Sequence, residues 1–158
     1  AQGAVIELRD VHDGVWNIRY GRATEPCAVA HFDNADLEIY YQFYKTNDQD
    51  RSSMPDIVLM EGGKAGSRAL AVIDPKHGRS YRKGRVNQTL RRYGKEHDAV
   101  LTAVVNYYSV PGYEFTHLAD GVRHAVLASN VRPGSQTTQQ FELVLAELLT
   151  GHNFREHP

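Results

Sequence analysis

Residues 55–76, PDIVLMEGGKAGSRALAVIDPK, leave this chain the fewest choices. Two apolar runs, residues 56–61 and 68–73, flank a Gly-rich segment at 62–67. Glycine reaches positive φ without steric cost, so the segment predicts a reversal between two strands. Pairing about a centre near residues 64 and 65 sets Asp56 opposite Asp74. Side chains alternate along a strand, so Asp74 and Lys76 share a face, and Asp56 joins them across the ladder. The same alternation puts Val58, Met60, Leu70 and Val72 on one face and Ile57, Leu59, Ala71 and Ile73 on the other. Strands apolar on both faces belong in the middle of a covered sheet. Pro75 has no N–H for a ladder, so the second strand is expected to end or bulge there.

Two carboxylates and an ammonium thus converge at the open end of an apolar hairpin. Neighbouring carboxylates repel unless a cation lies between them. Paired oxygen ligands suit a hard divalent cation such as Mg2+, which takes one or two carboxylates and keeps several waters. A bound metal polarises a phosphoryl oxygen and acidifies a bound water. A lysine beside it positions the water or neutralises developing charge. Phosphodiester hydrolysis needs this combination. The plainer reading of the same residues is two polar strand ends and an Asp-Pro turn.

A basic segment follows. Eight cations lie between positions 76 and 95 with no acid among them: Lys76, Arg79, Arg82, Lys83, Arg85, Arg91, Arg92 and Lys95. From about Arg85 the pattern is helical. Val86, Leu90 and Tyr93 fall on one face, and Gln88, Arg91, Arg92 and Lys95 on the other. A basic stripe beside an acidic pair is the footprint of a phosphate-backbone track. The plainer reading is a solvated helix face. His77 reads as a loop residue.

The arrangement Pro55-Asp56 … Asp74-x-Lys76 resembles the signature of the PD-(D/E)XK nuclease superfamily, the restriction-endonuclease-like fold. The resemblance covers roughly residues 37–150 and is similar to nuclease domains of McrC-like or RecB-like DNA-processing and defence proteins. It implies an α/β fold, a mixed β-sheet flanked by α-helices. It also implies Mg2+ (or Mn2+) held by Asp56 and Asp74, with Lys76 assisting the attacking water. DNA is the expected substrate ahead of RNA, and Arg79, Arg82, Lys83, Arg85, Gln88, Arg91 and Arg92 are the expected nucleic-acid contacts. Two departures stand out. Gln88 and Tyr93 are five residues apart, not the four of the RecB-like Gln-x-x-x-Tyr, so they do not share a helix face. The glutamate that many members carry on a helix before the first core strand has no counterpart, since Glu7, Glu25 and Glu38 lack helical context.

Length and composition set the remaining bounds. A chain of 158 residues is expected to form one domain with a real core. The net charge is −1, so affinity for nucleic acid has to come from local patterning. A single cysteine, Cys27, excludes an internal disulfide and a cysteine-based zinc cluster. The eight histidines show no HxxxH or HExxH spacing. No apolar run approaches the roughly 18 residues of a membrane span, and no signal peptide is visible. A cytoplasmic setting is expected. The chain begins Ala-Gln-Gly without Met, and we expect it to be a piece of a longer polypeptide.

Residues 1–36 read as a β-rich approach or accessory sheet, with strand-like runs at 4–8, 15–20 and 27–32. Residues 37–45 form an alternating strand and 46–54 a polar loop. Beyond the basic helix, 99–108 is a strand, 109–117 a loop, 122–131 a strand and 135–150 an amphipathic helix ended by Gly151; 151–158 is a tail. Two other classes stay open: a catalytically silent nucleic-acid-binding module, and a scaffold domain of a larger assembly.

Overall fold

The computed structural model describes residues 5–9, 11–12, 15–16, 25–32, 35–42, 55–62, 69–79 and 83–151. The reversal at 63–68, the loop at 46–54, Arg82 and the tail from 152 lie outside them. The described elements run β1 (Val5–Leu8), β2 (Val11–His12), β3 (Val15–Trp16), β4 (Ala28–His31), β5 (Asp36–Tyr41), β6 (Ile57–Glu61), β7 (Ala69–Lys76), α1 (Lys83–Glu96), β8 (Leu101–Asn106), β9 (Phe115–Asp120), β10 (Arg123–Ala128) and α2 (Gln136–Gly151).

Eight strands form one mixed sheet in the order β1-β4-β5-β6-β7-β8-β10-β9; β2 and β3 pair by themselves. Pairing is antiparallel from β1 to β7, parallel from β7 through β8 to β10, and antiparallel again at the β9 edge. The chain is therefore α/β. Part of the expected accessory sheet, β1 and β4, extends the main sheet through β5.

The predicted hairpin is present. Ile57 pairs with Ile73 and Val58 with Val72, which continues to Asp56 opposite Asp74. The register slips between Leu59 and Met60, because Leu59 faces Ala71 while Met60 faces Ala69. Leu70 is thus an extra residue on β7, a β-bulge. One inserted residue reverses the alternation beyond it. Leu70 accordingly packs with Leu59, Ala71 and Ile73, and Ala69 joins Val58 and Val72. The expected face for Leu70 is corrected by that bulge.

Nor does β7 end or bulge at Pro75. It runs through Asp74, Pro75 and Lys76, which pair with Val104, Val105 and Asn106 of β8. The Lys76 carbonyl accepts the Tyr107 N–H at 3.2 Å. Backbone polar groups alternate sides along a strand, so those of Pro75 face the other neighbour, β6, which starts only at Ile57. The missing N–H forfeits no ladder bond.

Among the described residues each face carries one helix. On the first, Tyr93 of α1 packs with Tyr40, Val58, Val72 and Ala99. On the second, Phe141, Val144 and Leu148 of α2 cover Ile73, Leu101, Ala103 and Val126. Both helices use their predicted stripes. Ser135 lies just ahead of α2 as its N-cap, its Oγ accepting the Thr138 N–H at 3.1 Å. The segment expected to be loop at 109–117 supplies the start of β9. This strand is mostly exposed and has one neighbour, so little apolar alternation marks it.

Gly62 departs from its expected role. It is not among the positive-φ residues. Its N–H donates to the Asp36 carbonyl at 2.7 Å, and a Cβ there would lie 2.8 Å from the Asp36 Cβ. Close backbone approach, and not turn geometry, demands glycine at this position.

Candidate active site

The C-terminal ends of β7 and β8 and the N-terminal end of β6 meet at one rim of the sheet. The sequence fixes which side chains stand there. Asp74 and Lys76 extend the face of Val72, and Asp56 extends that of Val58. This is the α1 face. Asp74 is buried, its side chain only 4% exposed, while the Lys76 side chain is 47% exposed. Lys76 Nζ donates to Asp74 Oδ1 at 2.6 Å. Asp56 is partly buried and lies within hydrogen-bonding reach of Asp74. Burial first, then Asp74 beside it, push the Asp56 carboxyl above its ordinary 3.8; Lys76 opposes the rise. The three residues predicted to converge therefore do so.

Tyr93 brings α1 over this group. Burial, and then the charge of Asp74, raise its hydroxyl above the usual 10.0. Gln88 is exposed on the opposite side of the helix, as the five-residue spacing predicts.

The basic stripe takes shape in part. Arg79, Arg85 and Arg91 are exposed. Gln88, Arg91, Arg92 and Lys95 line one open recess along α1. Arg92 is more committed than the sequence implied. Its Nε lies 3.9 Å from Glu96 Oε2, and its guanidinium sits 5.0 Å over the Tyr93 ring. Lys83 opens α1, with its side chain outside the described residues, and Arg82 lies outside them altogether.

Glu38 is away from the rim. It pairs across from Met60, and its Oε2 accepts the Tyr40 hydroxyl at 2.8 Å. Among the described residues no group of three His, Cys, Asp or Glu gathers to hold a metal. Among the described residues the donor set at the rim is two carboxylates. That suits Mg2+, which keeps most of its waters, and not a four-ligand zinc site. Burial first and Asp74 second raise the Asp56 carboxyl, and a divalent cation bound there would favour its ionised form.

Sequence reasoning missed Asn106. It is fully buried beside Lys76, where its Nδ2 donates to the Gly78 carbonyl at 2.5 Å and its Oδ1 accepts the Tyr108 N–H at 3.0 Å. It ties the segment after Lys76 to the end of β8. The available signal was one amide closing the apolar run 101–105.

No helix among the described residues is long and apolar enough to cross a membrane. In the comparisons with known proteins, no family model, no curated protein and no solved structure matches the chain.

Proposed function

We propose that this chain is a Mg2+-dependent nuclease domain with a restriction-endonuclease-like core, hydrolysing phosphodiester bonds in DNA ahead of RNA. The observation that carries the reading is the paired Asp56 and buried Asp74 with Lys76 Nζ 2.6 Å from Asp74, gathered where parallel strands end. Open α/β sheets bind ligands at the carboxyl ends of their strands. Asp56 and Asp74 would hold Mg2+, which when bound supplies charge neutralisation at a phosphoryl oxygen. The Lys76 ammonium, tethered to Asp74 yet half exposed, is placed to orient an attacking water and to meet charge developing on the phosphate. Asn106 fixes the backbone that follows Lys76, which limits where that ammonium can swing. Arg79, Arg85, Arg91 and Gln88 offer exposed phosphate contacts. The larger setting would be a DNA-processing or defence protein of the cytoplasm.

A second reading draws on the ion pair itself. Lys76 already neutralises Asp74 without a metal. A silent nucleic-acid-binding or scaffold domain would use that pair simply to close the strand end.

The test is incubation with plasmid and with single-stranded DNA, in Mg2+, Mn2+ or EDTA, beside Asp74→Ala and Lys76→Ala. Metal-dependent cleavage that disappears in both variants is expected. A folded wild-type protein that binds DNA without cutting it would select the silent module; neither binding nor cleavage would select the scaffold.

A further inference from the structure

Beside the acidic group, at the same rim, lies a feature that metal chemistry does not use. His77 follows β7 directly, and Tyr107 and Tyr108 follow β8 directly. The His77 and Tyr107 rings are stacked, with centroids 5.8 Å apart and planes 13° apart. Tyr108 stands edge-on to both, 6.3 Å from His77 and 5.4 Å from Tyr107. The Arg79 guanidinium lies 5.6 Å from the Tyr108 ring centre. These rings are not core. Tyr107 is 46% exposed, Tyr108 is 38% exposed, and His77 is exposed.

We propose that His77, Tyr107 and Tyr108 form a stacking platform for the bases of single-stranded nucleic acid, with Arg79 and Lys76 holding the adjoining phosphates. This rests on the nuclease reading for its purpose, but not for its chemistry. Exposed rings beside cations are the combination that single strands use, because every unpaired base has a π-face and every linkage a charge. A duplex hides its base faces and gives such rings nothing to stack on. The rings also hold one another. His77 lies against Tyr107, the Tyr107 N–H binds the Lys76 carbonyl, and the Tyr108 N–H binds the Asn106 side chain. Little ordering is then left to be done on binding. Tyr107 lies one residue beyond the Asn106–Lys76 pair and three beyond the level of Asp74, about 10 Å along the strands. The odd offset from Asp74 sets the Tyr107 ring on the other face of the sheet, so a strand with a base stacked there would cross the rim to reach the carboxylates.

The experiment is fluorescence anisotropy in EDTA, so that binding is read without cleavage. The probes are a labelled 15-mer of oligothymidylate, one of oligouridylate, an abasic strand of equal length and a matched duplex. Both base-bearing single strands are expected to bind tighter than the abasic strand and the duplex. Tyr107→Ala and Tyr108→Ala should each weaken the two single strands by roughly 5- to 30-fold and leave the abasic strand and duplex unchanged. Tyr107→Phe and Tyr108→Phe, which keep the ring, should bind as wild type. Circular dichroism checks that each variant is folded. Equal loss on all four probes, or no loss on any, would overturn the platform. A cleavage assay on the wild-type chain in Mg2+, with Asp74→Asn as the control expected not to cut, separates the two ideas. Ring-dependent binding with no metal-dependent cleavage would leave the platform standing and remove the nuclease reading. Cleavage with no ring dependence would do the reverse.

Discussion

Replacing Asp56 by asparagine should stabilise the metal-free protein and abolish its response to Mg2+. Asp56 faces Asp74 across the β6–β7 ladder, where directly opposed Cβ atoms lie about 5 Å apart. Two carboxylates about 4 Å apart repel by about 4 kcal/mol at an effective dielectric of 20. Lys76, 2.6 Å from Asp74, offsets most of this. A net gain of about 1 kcal/mol on removing one charge is reasonable, roughly 2–4 °C in Tm for a chain of this size. The pH dependence follows from the raised Asp56 carboxyl. An acid whose folded pKa exceeds its unfolded value binds its proton more tightly in the fold. That contribution is present below the ordinary 3.8 and is lost as the pH rises through the folded value. The stability gap between Asp56→Asn and wild type should therefore open as the pH climbs from acid to neutral. Under the proposed Mg2+ reading, metal is expected to act the other way on wild type. If the acids bind it, Mg2+ at one hundred times its Kd would add about 2.7 kcal/mol, or roughly 5–10 °C. Thermal melts of both proteins in EDTA and across a Mg2+ series read all three effects. An asparagine variant that melts lower without metal and responds to Mg2+ as wild type does would refute the reasoning and make the two acids plain strand ends.

Three further outcomes are expected. Asn106→Ala removes the bond to Gly78 and leaves the Tyr108 N–H without its side-chain acceptor, so urea denaturation should show a loss of about 2–3 kcal/mol; an unchanged midpoint would sink the clamp. Gly62→Ala forces a Cβ against Asp36 and should cost about 1–3 kcal/mol, whereas a neutral result would mean that the β5–β6 approach relaxes freely. The exposed His31 donates to Asp36, at 2.8 Å, and to Glu7, at 3.3 Å, and these hydrogen bonds raise it above 6.5. Its stabilising effect is full below 6.5 and disappears as the pH passes the folded value, so NMR titration of Asp36→Asn should show the His31 pKa falling back towards 6.5; no change would remove Asp36 as the cause.

The sequence by itself determined the local features. The Gly-rich segment between two apolar runs predicts the pairing of Asp56 with Asp74, and the β6–β7 register agrees, because antiparallel pairing about a midpoint decides which residues oppose. The spacing of Val86, Leu90 and Tyr93 set which side of α1 faces the sheet, because 3.6 residues per turn is an intrinsic period. Tertiary structure decided what no period encodes. The bulge at Leu70 changes that residue's face, and the alternation of β7 alone does not mark it. The parallel pairing of β7 with β8, some thirty residues apart in sequence, brings Asn106, Tyr107 and Tyr108 beside Lys76 and His77. Alternation along one strand says which face a side chain takes, but which strand lies alongside is chosen by burial of the whole sheet between α1 and α2. The acidic pair was legible for that reason, and the amide and the rings next to it were not.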